Sequence, residues 1–193
     1  NNTIMKKIAI LAATALFCMS ATAQPKFAHV NFSELVQLAP EADQAREALA
    51  TSSKEAEETY QEMVNEFNNK YTTYQQKAGT WTPAIRESKE KELTEMQQRI
   101  QEFQQNIQQE LGQQQQTLME PIYQKAKEVV ETIAKQGGYI YVFDKGSFVY
   151  LDETQSVDIT PAARKALGIA EDRTLEGLQN ELAAQQQAQP AAL

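Results

Sequence analysis

The sequence predicts a mostly α-helical protein: a long antiparallel helical hairpin projecting from a small sheet-containing body that self-associates. Three observations carry this reading: two extended stretches with apolar residues every three or four positions, a Gly-and-Pro turn between them, and short strand-like segments only at the flanks. Mean hydropathy is -0.55 and aromatic residues make up 8% of the chain. Apolar surface this thin favours elongated helices beside a small core over one compact globule.

From Ala42 to Ala78 the apolar positions are Ala42, Ala45, Leu49, Ala56, Tyr60, Met63, Phe67, Tyr71, Tyr74 and Ala78. They form a narrow stripe on one helix, with one step of seven across Ser52 and Ser53. A second stripe runs from Ile85 through Leu93, Met96, Ile100, Phe103, Ile107, Leu111, Leu118, Ile122, Ala126 and Val129 to Ile133, with Gln, Glu and Lys on the other faces. At about 1.5 Å per residue the helices would reach roughly 55 and 75 Å. Each stripe is most readily buried against the other, which makes a hairpin.

"QKAGTWTPAIRE", Gln76 to Glu87, supplies the turn. Gly79 suits a helix stop, Thr82 an N-cap and Pro83 a first helical turn, so the tip lies near 78–83. Trp81, the sole tryptophan, therefore sits at the end farthest from the body. Its ring either covers the turn near Ile85 or is offered to another molecule. Pro121 falls inside the returning helix, where a missing donor predicts a bend near Glu120.

At the flanks the apolar period changes to two. "KFAHVN", Lys26 to Asn31, reads as a strand with His29 partly exposed, followed by a short helix capped by Ser33 and then Pro40 at the start of the first long helix. After Gly137-Gly138, "YIYVF" and "FVYL" enclose Asp144-Lys145-Gly146-Ser147 and predict a β-hairpin. Thr160-Pro161 would cap a last helix, Ala162 to Leu167, closed by Gly168. The body is thus 24–40 with 137–170, the hairpin 41–136, and 171–193 a partly helical to disordered Gln/Ala tail. Two or three short strands need a partner layer, so self-association is expected, with Phe27, Val30, Ile140, Val142, Phe148 and Tyr150 as candidate body contacts.

The N-terminus has the parts of a secretory signal over 1–23: Lys6 and Lys7 after Met5, an apolar core from Ile8 to Met19, and Ala21-Thr22-Ala23. Export is expected, with no membrane span and no strong membrane anchoring. Phe17 before Cys18 speaks against a lipid anchor, and loss of that segment leaves no thiol. Removing Lys6 and Lys7, with no acid lost, takes the formal charge from -8 to -10, a poor match for nucleic acid or anionic membranes.

His29, the only histidine, lacks a recognisable nucleophile or carboxylate motif around it, and no Gly-rich phosphate loop or metal-ligand spacing occurs. Neither enzyme activity nor a cofactor is expected. Tyr60, Phe67, Tyr71, Tyr74, Met96 and Phe103 fit two readings, the seam of the hairpin and an adaptable surface that grips other proteins.

The order strand, helical hairpin, strand pair and last helix, together with "GGYIYVFDKGSFVYLDETQSVDIT" (Gly137 to Thr160), "KFAHVN" and "APE" (Ala39 to Glu41), resembles the OmpH/Skp family of periplasmic chaperones for outer-membrane proteins. The resemblance spans Lys26 to about Ile169. It implies a homotrimer with a hub of sheet bodies and three hairpin tentacles around a cavity. Unfolded outer-membrane proteins would be held there without ATP, with Trp81, Tyr74, Tyr71, Phe67, Met96 and Phe103 as candidate contacts. Well-known members are strongly basic whereas this chain is acidic, which shifts the expected weight from charge attraction to apolar contact and confinement. The alternative reading is an envelope coiled-coil scaffold or spacer that binds one folded partner.

Overall fold

The computed structural model describes residues 25–188. The signal segment expected over 1–23 lies outside the described residues, as does the end of the tail. Strand β1 (Lys26–Val30) leads to α1 (Phe32–Leu38), then to the hairpin helices α2 (Pro40–Lys77) and α3 (Pro83–Gly137). Strand β2 (Tyr139–Asp144), a 3₁₀ turn (Lys145–Ser147), strand β3 (Val157–Asp158), α4 (Thr160–Ala166) and α5 (Leu175–Ala188) complete the chain.

The hairpin helices are 38 and 55 residues long. Pro40 stands at the start of α2, where its missing N–H has no helical partner to lose. Thr82 caps α3 by accepting from the Ile85 N–H at 3.4 Å, and Gly138 closes it in the left-handed conformation at φ 65°. Pro121 lies inside α3 without ending it.

The sheet has the order β2-β1-β3, and both neighbours run parallel to β1. A parallel pair cannot be joined by a tight turn, so the entire helical hairpin serves as the crossover from β1 to β2. The expected β-hairpin is therefore corrected. Asp144 accepts from the Gly146 and Phe32 N–H groups at 3.3 Å each, which starts a 3₁₀ turn and ties the end of β2 to α1. The "FVYL" segment forms no strand; Val157–Asp158 takes the free edge of β1 instead, continued by the Ile159 N–H bond to the His29 carbonyl at 3.0 Å.

Central placement also corrects the expectation for His29, which is 1% exposed. Its Nδ1 pairs with Ser156 Oγ at 2.9 Å. Two caps differ as well. Asn31, not Ser33, caps α1 by accepting from the Glu34 N–H at 3.2 Å. The Thr160 hydroxyl accepts from the Asn31 N–H at 2.9 Å and so joins the two ends of the body rather than capping α4.

The core is one cluster in the body. It combines Ala28 and Val30 of β1, Leu35, Val36 and Leu38 of α1, and Ala42 and Ala45 at the root of α2. Ile122 and Ala126 of α3 and Ile159, Ala163, Leu167 and Ile169 around α4 close it. Leu178 of α5 joins the same cluster with Leu175 and Leu182 packed beside it, so residues 175–188 of the expected tail are a docked helix. Arg173 reinforces the docking through Asp43 at 2.6 Å.

Candidate functional site

Beyond the body, the surface of the hairpin is the place where a partner could be met. At the tip, the Ala78 N–H bonds to the Tyr74 carbonyl at 2.8 Å and the Thr80 N–H to the Lys77 carbonyl at 2.9 Å. Arg86 Nε then donates to the Ala78 carbonyl at 3.2 Å and fastens α3 to the end of α2. This turn sets Trp81 against Tyr74, with ring centroids 6.0 Å apart and planes inclined by 59°. The aromatic neighbour of Trp81 is Tyr74, and Ile85 is exposed.

Tyr74, Trp81 and Leu93 line a cleft of about 220 Å³ with Lys70, Glu66, Lys89 and Glu92. Its charges are paired. Lys70 bonds Glu92 across the two helices and also lies 3.5 Å from Glu66, while Lys89 reaches Glu92 at 2.7 Å. The hydrogen bonds from Lys70 and then Lys89 push the Glu92 carboxyl down to about 2. The Glu92 hydrogen bond raises Lys70, and donation of the Tyr74 hydroxyl to Glu90 raises Tyr74.

Phe67 and Tyr71 stack with centroids 6.1 Å apart, about two to three helical turns below the tip, and Tyr71 is exposed. Met96 is the exception among the candidate contacts. At 2% exposure it is sealed between the helices, so in this arrangement it belongs to the seam and offers nothing to a bound chain. Phe103 is half-buried beside Ala56, Tyr60, Ile107 and Leu111, where the seam opens into clefts on both sides.

The body has a second surface. Phe27, Tyr141 and Phe143 form an aromatic run across β1 and β2, with Phe27 to Tyr141 at 6.3 Å and Tyr141 to Phe143 at 5.8 Å. Phe148 meets Phe143 edge-on at 5.1 Å. Tyr141 is 60% exposed and Tyr150 80%; their sequence neighbours Ile140 and Val149 are exposed, as is Val157 of β3. Of the six candidate body contacts, Phe27, Ile140, Phe148 and Tyr150 retain surface. Val30 is in the core and Val142 packs against it, because both turn toward the helices that cover the sheet. That corrects their placement.

Sequence reasoning missed Tyr141 and Val149 in this surface; the alternating aromatics of "YIYVF" were the available signal for Tyr141. Among the described residues no group of His, Cys, Asp and Glu is arranged to hold a metal ion, and no helix is long and apolar enough to cross a membrane.

A long two-helix arm on a small parallel-sheet body, with apolar surface at both ends, defines a tentacle-and-body fold. The chain belongs to the OmpH-like family: the family model described as "Outer membrane protein (OmpH-like)" matches residues 26–167. A crystal structure from Caulobacter crescentus CB15, assigned as an outer membrane chaperone (OmpH-like), shares the fold with a TM-score of 0.67 at 16% identity. The match covers 80% of this chain and 91% of that one. No curated protein matches the chain by sequence.

Proposed function

We propose that this protein is an ATP-independent periplasmic holdase that keeps unfolded outer-membrane β-barrel proteins from aggregating. The observation that carries the reading is the hairpin itself. Its apolar stripe is sealed beyond the body at Met96 and otherwise only half-covered, so Tyr71, Tyr74, Trp81 and Phe103 keep apolar surface along an arm attached to a separate core. Membership of the OmpH-like family supports the same assignment.

An unfolded barrel strand exposes alternate apolar side chains that would otherwise pair or aggregate. Many weak apolar contacts can hold such a chain without fixing one sequence. Each contact exchanges fast, so release needs no nucleotide once a deeper folded state is available.

The exposed aromatic surface around Phe27, Tyr141, Phe148 and Tyr150 fits assembly of three bodies into a hub, with the hairpins enclosing a cavity. Light scattering of an unfolded β-barrel protein diluted from denaturant tests the function: aggregation is suppressed at one assembly per client. Absence of suppression, with one folded partner recovered in stoichiometric amount from an envelope extract, would make the protein a scaffold instead.

A further inference from the structure

Midway along the hairpin the seam is underfilled. Ser52, Ser53 and Ala56 of α2 present small side chains toward Phe103, Ile107 and Leu111 of α3, and the space left opens on two sides. One mouth, of about 570 Å³, has Ala56, Tyr60, Phe103, Ile107 and Leu111 in its wall, with Glu57 beside them. The other, of about 470 Å³, shares Ala56, Phe103, Ile107 and Leu111 and carries Glu55 and Glu110. Volumes of this order hold several side chains.

The charge around these mouths differs from that of the tip. At the tip, Glu66 and Glu92 are paired with Lys70 and Lys89. Neither mid-seam mouth has a lysine or arginine in its wall, and Glu55, Glu57 and Glu110 have no ion-pair partner among the described residues; the neighbouring Lys54 turns to Glu58 at 3.8 Å. The sequence shows the same division. Residues 66–95 carry five basic and five acidic side chains, whereas residues 40–65 carry two basic and seven acidic.

We propose that the mid-seam cleft takes an extended polypeptide segment in which bulky apolar side chains alternate with Lys or Arg, and that it selects such segments over acidic ones. This selectivity rests on the holdase reading above. Apolar side chains enter between Tyr60 and Phe103 and complete the packing that Ala56 leaves open. Cationic side chains stay at the wet mouths, where Glu55, Glu57 and Glu110 meet them without being desolvated. An acidic segment would bring like charge to the same rim. A second copy of this chain is disfavoured as the occupant for that reason, since it would present the same carboxylates.

The test uses the full mature protein and two dye-labelled peptides of equal length, one alternating Leu and Phe with Lys and the other with Glu. Fluorescence anisotropy should show the Lys peptide bound about tenfold more tightly at low salt, with the ratio shrinking as salt rises. E55Q/E57Q/E110Q should bring the ratio to about one, and A56L, which fills the cleft, should weaken both peptides.

Equal affinities for the two peptides, or an unaltered ratio in the triple variant, would overturn the proposal. A triple variant that changes the mass of the assembly and not the peptide ratio would give the cleft to a second copy, and overturn it too. Aggregation of an unfolded barrel protein, followed with the same samples, separates the two readings. Suppression without peptide preference defeats the selectivity alone, and preference without suppression supports the selectivity while defeating the holdase.

Discussion

Lys70 and Glu92 lie 22 positions apart in the chain and clasp the two arms of the hairpin directly beneath Tyr74 and Trp81. This pair is the ionic link between α2 and α3 near the tip, as Lys125 with Glu41 is near the root. Both are partly exposed, so their worth is modest and sensitive to salt.

Acid should loosen the tip. Glu92 titrates at about 2 in the folded protein against an ordinary 4.5, so its contribution is complete above 4.5 and is lost as pH falls through about 2. Lys70 is raised, so its contribution is complete below its ordinary 10.5 and is lost only as pH rises beyond that value. Trp81 lines the same cleft and reports on it. Its emission should change across that acid window in the wild type, and the E92Q protein should lack this change while its far-ultraviolet circular dichroism stays the same.

Trp81 also provides a view of binding. An unfolded barrel protein engaging the tip should shift its fluorescence, and Trp81→Ser should weaken holding several-fold while leaving the assembly mass unchanged. A spectrum indifferent to the client would assign the ring to the turn, where Tyr74 already meets it.

Gly112 stands in the interior of α3 with open space where a Cβ would go. Gly112→Ala should therefore raise stability by about 0.5–1 kcal/mol, seen as a higher melting temperature, because it restricts the unfolded chain and adds no clash. Gly138 is the counter-case. Its φ of 65° makes Gly138→Ala destabilising even though space is free around it.

Leu178→Ala should cost about 2–4 kcal/mol, as expected for a buried leucine that leaves a partly collapsed cavity. Chemical denaturation measures this. A cost near zero would show that α5 is not part of the cooperative body.

Tyr150→Glu combined with Val149→Asp puts charge on the exposed body surface without touching the core. Mass measured by light scattering after size exclusion should fall from about three chains to one, with the helical signal kept. A mass unaffected by both charges would move the assembly contact elsewhere.

The hairpin was legible in the sequence because its rules are local. Spacing set its two faces, and Gly79, Thr82 and Pro83 set its turn. The sheet was less legible. Val157–Asp158 is a two-residue strand, too short to show a period, and it pairs with the edge of β1 opposite β2. His29 looked partly exposed because strand alternation says nothing about the distant segment that brings Ser156 onto it. A partly helical tail was expected, but the docking of α5 was hidden by its Gln and Ala content, although Leu175, Leu178 and Leu182 already had helical spacing.

Because the helical hairpin is inserted as the crossover between β1 and β2, its reach is independent of the core that carries it. Matched deletions of whole heptads from α2 and α3, between Ala45 and Leu118, would shorten the arm while the core side chains kept their neighbours. The fold is thus like a calliper with interchangeable jaws: the length of the arm can vary while the pivot that carries it stays the same.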